Sequence, residues 1–253
     1  MIDRGLVKIF GDLVLEVEAQ ILEDINRGKI ETEPSTTDRF IQALEDKFPY
    51  YYKDGSIVFE ARSVGDRGRG ASESKYGTDF VGVLNIDIGK YQLTKGFIAQ
   101  AKNCSDDIKF NKKYRQKITI DFTTGNKKFN ELKEQTGKML SISPDSFVFI
   151  YCLEGIYVVP ASSVDSLKIN DSLYAKPVSN FFKEFLMCFI GDQRLNAWDD
   201  GSLDRLRIEN NAKNAILFKI RTKNEYESNP NFNTVNIINI LQQSQINPPK
   251  III

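Results

Sequence analysis

The spacing of apolar residues changes partway along the chain from a helical period to a strand period, and this change most constrains the fold. From Leu6 to Asn26, apolar side chains recur every three or four residues, which predicts an amphipathic helix that stops near Gly28. Residues 34–38 are predicted to start a second helix, with capping-box spacing from Ser35 to Asp38, and Pro49 is predicted to end it. The chain therefore starts with two helices.

The central part of the chain has shorter apolar runs that are typical of strands. Ser56–Arg62, Asp79–Ile88 and Thr94–Lys102 are predicted strands, Gly89 marks a turn, and the three would form an antiparallel meander. The later elements are predicted to be a helix at Phe129–Leu140, strands at Phe147–Leu153, Ile156–Val159 and Ala215–Arg221, and a helix at Val178–Ile190. This order predicts an α/β (α+β) fold, a sheet with helices on its faces.

The chain contains no histidine, and this absence excludes many kinds of active site. Ser-His-Asp triads, Cys-His pairs and zinc hydrolases with histidine ligands all need an imidazole. Lys and Arg total 34, as do Asp and Glu, so any nucleic-acid surface has to be a local patch. Acid–base and metal chemistry must then come from carboxylates, amides, lysines and water.

The cysteines and the N-terminal segment bear on the cellular compartment. Cys104, Cys152 and Cys188 are widely separated and form no C-x-x-C pair, so we expect no zinc knuckle. Their odd number, together with a polar N-terminus unlike a signal peptide, predicts a reducing compartment, the cytoplasm. No apolar run approaches the roughly 20 residues of a membrane-spanning helix, so we expect no membrane association.

Three polar residues of the central strands form a candidate site. Gln100 and Lys102 are two positions apart in a predicted strand and so share one face, while the residues between and before them are apolar. Asp79 opens the preceding strand, and a hairpin would return Gln100 and Lys102 to its side. A carboxylate can bind Mg²⁺ with waters and phosphate oxygens, and a lysine can orient the attacking water. The set suits metal-dependent hydrolysis without histidine.

At these residues the sequence resembles the PD-(D/E)xK nuclease superfamily, whose fold is restriction-endonuclease-like. The matching runs are ESKYGTDF, which begins at Glu73, and GFIAQAK, which ends at Lys102. The resemblance implies that Asp79 is the central metal ligand, that Gln100 takes the place of the second acid, and that Lys102 is the catalytic lysine. It also implies metal ligation by the Ala101 carbonyl, and Glu73 could supply the charge that Gln100 lacks.

The resemblance carries further implications for the fold and the activity. It implies a restriction-endonuclease-like mixed sheet and a metal-dependent DNA endonuclease that uses Mg²⁺ or Mn²⁺ and acts in restriction or antiviral defence. Cutting both strands would favour a homodimer or higher homo-oligomer. The segment from Gln135 to Met139 also resembles a Q-x-x-x-Y helix motif, with Met in place of Tyr. We predict one nuclease domain, 1–253, with helices at 6–48, a core at about 56–160 and an extension at about 175–253.

Basic residues near these motifs are candidates for contacts with nucleic acid. Arg67 and Arg69 lie in a glycine-rich loop, Lys75 lies within the first matching run, and Lys112 and Lys113 belong to a basic run with interleaved aromatic residues. A flexible solvated loop is the alternative for Arg67 and Arg69, and base rates favour a plain solvated charge run over a nucleic-acid contact for the basic run.

Two other functions are compatible with the sequence. A nuclease fold that has lost catalysis and only binds nucleic acid would explain the neutral Gln100. A protein that binds no nucleic acid would explain the balanced charge and the apolar C-terminal residues.

Overall fold

The computed structural model describes residues 4–52, 57–65, 78–113, 117–168 and 171–222, which form a mixed α/β structure. The helices in these ranges are α1 (Arg4–Asn26), α2 (Glu33–Lys47), α3 (Lys127–Ile142), α4 (Ala161–Asp165), α5 (Val178–Leu186) and α6 (Asp200–Glu209). The strands are β1 (Tyr50–Tyr52), β2 (Ile57–Gly65), β3 (Thr78–Ile88), β4 (Tyr91–Asn103), β5 (Ile108–Lys113), β6 (Lys117–Phe122), β7 (Ser146–Cys152), β8 (Gly155–Pro160), β9 (Ser172–Tyr174), β10 (Lys176–Pro177) and β11 (Ala212–Thr222).

Eight of these strands form one large sheet in the order β1-β2-β11-β3-β4-β7-β8-β10. The β3–β11 and β4–β7 pairs are parallel, and the other pairs are antiparallel. The prediction of a mixed α/β fold is therefore confirmed, and the predicted hairpin between β3 and β4 is present.

The predicted three-stranded meander is wrong, because β11 lies between β2 and β3. The central residues of β11 are buried on both faces, and such a strand is stable only inside a sheet that is covered on both sides. Strand β11 comes from the segment at about 175–253 that we predicted as an extension. That segment thus supplies a central strand of the sheet, next to the strand that carries Asp79.

Each face of the large sheet packs against helices. The face covered by α1, α2 and α5 is rich in phenylalanine, and the rings of Phe97 and Phe181 have centroids 5.0 Å apart. The other face packs against α3 and α6. Strand residues alternate between these cores, so Phe80 belongs to the first and Val81 to the second. Burial on both faces fixes the register of β3 and β4, and with it the positions of the candidate residues.

A small sheet in the order β5-β6-β9 lies outside the large one. Its apolar side chains pack with those of α3, α4, β7 and β8 in a separate core. The sequence showed this region only as a basic run, although the structure forms a hairpin there. The hairpin and α3 together form a wall beside the end of β4.

Helix α2 begins at Glu33, and its N-cap lies earlier than the predicted cap at Ser35. The capping box uses Thr32 as N-cap and Ser35 as its partner, so the predicted pairing of Ser35 with Asp38 is wrong. The Thr32 side chain accepts a hydrogen bond from the Ser35 N–H, which satisfies a free donor of the first turn. This earlier start places Glu33 in the first turn of the helix.

A disulfide bond joins Cys104, which directly follows β4, to Cys152 at the end of β7. The Cα atoms are 4.9 Å apart, and Cys188 is free and exposed. The odd cysteine count predicted a reducing compartment, whereas a disulfide is typical of an oxidising one. The pairing was invisible in the sequence because it depends on the parallel register of β4 and β7.

No helix within the described ranges has the length and apolar character needed to cross a membrane.

Candidate functional site

Asp79 is held at the start of β3 by two hydrogen bonds from β4. Its Oδ2 atom accepts a bond of 2.6 Å from the Ala101 N–H and one of 2.5 Å from Nε2 of Gln100. The antiparallel register of β3 and β4 produces this contact, since Phe80 lies opposite Ala99. The predicted convergence of Asp79 and Gln100 is thus present in the structure. Ala101 contacts Asp79 through its N–H, and its proposed role as a carbonyl ligand stays a prediction.

Burial raises the pKa of Asp79 to about 6, well above its ordinary value of 3.8. The Ala101 N–H and the positive charges of Lys102 and Lys213 lower this pKa, whereas the negative charge of Glu33 raises it. The carboxylate is therefore costly to ionise in the absence of a cation. Such a perturbed acid beside other charged groups is a frequent feature of functional sites.

Lys102 forms an ion pair with Glu33, in which Nζ and Oε1 are 3.0 Å apart. Both side chains are mostly buried, with 20% and 28% of their surfaces exposed. Glu33 comes from the first turn of α2, so this pair connects that helix to the end of β4. The structure thereby brings a second carboxylate to the candidate site, which the sequence had assigned to Glu73.

A second lysine approaches Asp79 from the other side. Lys213 lies in β11, next to β3, and its Nζ is 3.1 Å from Oδ2 of Asp38 in α2. Beneath these groups, the buried Tyr151 hydroxyl donates a hydrogen bond of 3.4 Å to Oγ1 of Thr37. Burial, together with the carboxylates of Asp79 and Asp38, raises the pKa of Tyr151, which therefore stays neutral.

Glu33 and Lys213 were missed because they lie outside the matched motifs. One feature of the sequence could have indicated Glu33: an acidic residue at the beginning of a predicted helix can be stabilised by the helix dipole and face a nearby site. No feature of the sequence could have indicated Lys213, because its place beside Asp79 depends on the insertion of β11 between β2 and β3.

Several of the predicted site residues are not described by the structure. Arg67, Arg69, Glu73 and Lys75 lie outside the described residues, as does the apolar C-terminus.

Strand β5 begins at Ile108, shortly after the end of β4, and Lys112 and Lys113 lie at the other end of β5. Lys112 is four residue steps from Ile108, which corresponds to roughly 13 Å along β5. Lys112 is exposed, and this distance separates it from the candidate site. Its contact with nucleic acid stays a prediction, as does that of Lys113.

The oxygen atoms around Asp79 suit a hard divalent cation. Asp79 and Glu33 supply carboxylates, and Gln100 is 4% exposed with an Oε1 atom that has no hydrogen-bond partner among the described residues. Mg²⁺ binds oxygen ligands of this kind and retains several waters. The described ranges contain no group of three or more acidic, cysteine or histidine side chains placed to hold a metal ion. The donor set therefore fits a site of two carboxylates and an amide, completed by water.

Comparisons with protein-family models, curated proteins and solved structures found no match to this chain.

Proposed function

We propose that the protein is a metal-dependent endonuclease that hydrolyses phosphodiester bonds in DNA, with Asp79 and Lys102 at its active site. The observation that carries the proposal is the arrangement at the end of the β3–β4 hairpin. A buried carboxylate with a raised pKa, a neutral amide and a lysine paired with a second carboxylate occupy one small region. The resemblance to the PD-(D/E)xK superfamily and its restriction-endonuclease-like fold predicts the same residues for the same chemistry.

Each residue then has a definite role. Asp79 and Glu33, with the free Oε1 of Gln100, would hold Mg²⁺ or Mn²⁺, and Glu73 is a further proposed ligand. When bound, the cation supplies charge stabilisation for the phosphate and lowers the pKa of water. Lys102 orients the attacking water and offsets negative charge that develops on the phosphate.

The hydrogen bonds from Gln100 and Ala101 fix Asp79 so that its carboxylate need not reorganise. The Ala101 carbonyl completes the proposed ligand set. The basic residues Arg67, Arg69 and Lys112 are proposed to contact phosphates of the DNA backbone.

The wider biological role is part of the same proposal. We propose restriction or antiviral defence, and a homodimer or higher homo-oligomer for cleavage of both strands. The proposed location is the cytoplasm, and the Cys104–Cys152 bond is the observation against it. A thiol count on freshly purified, denatured protein decides this point. Three reactive thiols agree with the cytoplasm, whereas one thiol contradicts it.

Cleavage of supercoiled plasmid DNA tests the activity. We expect the wild type to cut with Mg²⁺ or Mn²⁺ and to stop cutting when a chelator is added. Lys102→Ala should lower the rate at least 100-fold, the scale of losing one electrostatic stabiliser. Lys138→Ala is the matched control, because Lys138 is exposed on α3 and pairs only with Glu134 among the described residues. Equal rates for the two variants would show that Lys102 has no catalytic role.

A second candidate function is binding of nucleic acid without cleavage. The neutral Gln100 favours it, as does the lack of a third acidic ligand among the described residues. This candidate predicts salt-dependent DNA binding and no cleavage at any concentration of Mg²⁺ or Mn²⁺.

A further inference from the structure

A cavity of about 320 Å³ opens directly beside the Lys102–Glu33 pair. It lies between the end of β4, the β5–β6 hairpin and the first turns of α3. Its lining residues include Asn103, Phe122 and Gln135, together with Lys102 and Glu33 themselves. A substrate group inside the cavity would therefore lie next to the proposed catalytic lysine.

The apolar part of the lining is suited to a flat ring. Phe122 and Phe129 form one wall, with their ring centroids 6.0 Å apart and each residue 7% exposed. Ile108 and Leu132 extend this surface. A nucleobase gains free energy when it is placed against aromatic and aliphatic side chains of this kind, whatever its identity.

The polar part of the lining offers amide groups. Asn103 and Gln135 both line the cavity, and the side-chain oxygen of each is buried without a hydrogen-bond partner in the described ranges. Unpartnered buried polar atoms are rare because each costs free energy. Asn and Gln amides match the donors and acceptors on base edges, so a bound base would satisfy these atoms.

The charges of the lining favour a neutral group over a phosphate. Lys102 is paired with Glu33, and Nζ of Lys128 is 3.0 Å from Oδ2 of Asp107. Each lysine on the wall is thus paired with a carboxylate, and the remaining acid, Glu131, pairs with Lys127 outside the lining. The cavity therefore suits the base of a nucleotide, whereas the backbone phosphate belongs at the adjacent Asp79 site.

The size of the cavity favours an unpaired base over a base pair within a duplex. Its volume is at the lower end of the roughly 300–1,000 Å³ that ligand sites occupy, which suits one base. A base that is paired and stacked within a duplex cannot enter a cavity of this size, whereas an unpaired base can.

We propose that this cavity binds one unpaired nucleobase beside the scissile phosphate, so that the substrate is DNA with an unpaired nucleotide at the cleavage position, either in a single strand or in a locally unpaired segment of a supercoiled plasmid. The inference rests on the proposed nuclease function and narrows its substrate.

Binding measured without cleavage tests the inference. The affinity of wild type for a fluorescent 20-nucleotide DNA strand is compared with that for the same strand in a duplex, at one salt concentration and with a chelator present. Duplex DNA has the higher charge density and would bind more tightly by electrostatics alone. We expect the single strand to bind about tenfold more tightly, the scale of placing one base on an aromatic wall. Equal or tighter duplex binding, or no binding of either form, overturns the inference.

Variants of the cavity locate the effect. Gln135→Leu removes the amide at similar size, and we expect it to lower single-strand affinity about tenfold without changing duplex affinity. Asn103→Leu is a second variant with the same expectation, should the first not fold. Gln193→Leu is the matched control, since Gln193 is exposed and lies outside the cavity lining. Wild-type affinity in both cavity variants would overturn the assignment.

The outcomes separate this inference from the proposed nuclease function. If the single-strand preference and its loss in Gln135→Leu are observed but no DNA is cut with Mg²⁺, the nuclease proposal fails and the base site stands. If DNA is cut but the preference is absent, the nuclease proposal stands and the base site fails.

Discussion

Replacing Asp79 with asparagine should stabilise the folded protein at pH 8 while it removes the proposed activity. Asparagine keeps the size of the side chain and an oxygen that accepts the Ala101 N–H. It removes the negative charge that burial makes costly. A residue that lowers stability but holds the proposed metal is typical of a functional site.

The magnitude follows from the pKa of Asp79. The ordinary pKa is 3.8 and the folded-state pKa is about 6, so the folded state binds more protons than the unfolded state between these values. Stability contributed by this group therefore falls as the pH rises from about 4 to about 6, and the full loss is present above pH 6. It amounts to roughly 3 kcal/mol, since one pKa unit corresponds to 1.36 kcal/mol.

Urea unfolding of wild type and Asp79→Asn, at pH 4 and at pH 8 with a chelator, measures this difference. We expect the two proteins to be nearly equally stable at pH 4. At pH 8 the variant should be more stable by up to roughly 3 kcal/mol, or roughly 6–12 °C in melting temperature. Mg²⁺ should raise the melting temperature of wild type but not of the variant, because the proposed ligand is lost.

Asp87→Asn is the matched control, since Asp87 lies in the same strand and its Oδ1 accepts a bond from Gln92 near the hairpin turn. It should show no comparable pH-dependent gain. The reasoning would be refuted by a stability difference between wild type and Asp79→Asn that is the same at both pH values, or by a variant that is less stable at pH 8.

Three further changes give distinct expectations. Gln100→Glu places a second carboxylate beside Asp79, so it should lower the stability of the protein without metal and raise its affinity for Mg²⁺, as measured by calorimetry. An unchanged affinity would show that position 100 does not contact the metal. Glu33→Gln should weaken Mg²⁺ binding at least tenfold, and wild-type affinity would exclude Glu33 from the ligand set. Lys95→Met should cost roughly 2–4 kcal/mol in urea unfolding, since the buried Lys95 ammonium donates to the Phe185 and Ile190 carbonyls. Wild-type stability would contradict that role.

Much of the fold was predictable because its elements have clear local patterns. The apolar period identified α1, and the strand-like runs identified β3, β4, β7 and β8 within a few residues. The hairpin that brings Gln100 to Asp79 was also predictable, since the two strands are joined by a short turn at Gly89.

The remaining features depend on contacts between distant segments. The place of β11 is set by burial on both faces, which no local pattern reveals. Lys213 reaches Asp79 only through that placement, and the Cys104–Cys152 bond only through the pairing of β4 with β7. The place of Glu33 depends on an N-cap three residues earlier than predicted, at Thr32 rather than at Ser35.

The initial rate of plasmid cleavage by Asp79→Asn, relative to wild type, tests the central claim most directly. Both proteins are measured at pH 8 with saturating Mg²⁺, after unfolding experiments have shown that the variant is folded. We predict that wild type cuts and that the variant cuts at least 1,000-fold more slowly, the upper range for losing one electrostatic contribution to the transition state. Equal rates, or a wild type that cuts no DNA with either Mg²⁺ or Mn²⁺, would contradict the claim that Asp79 is the centre of a metal-dependent nuclease site.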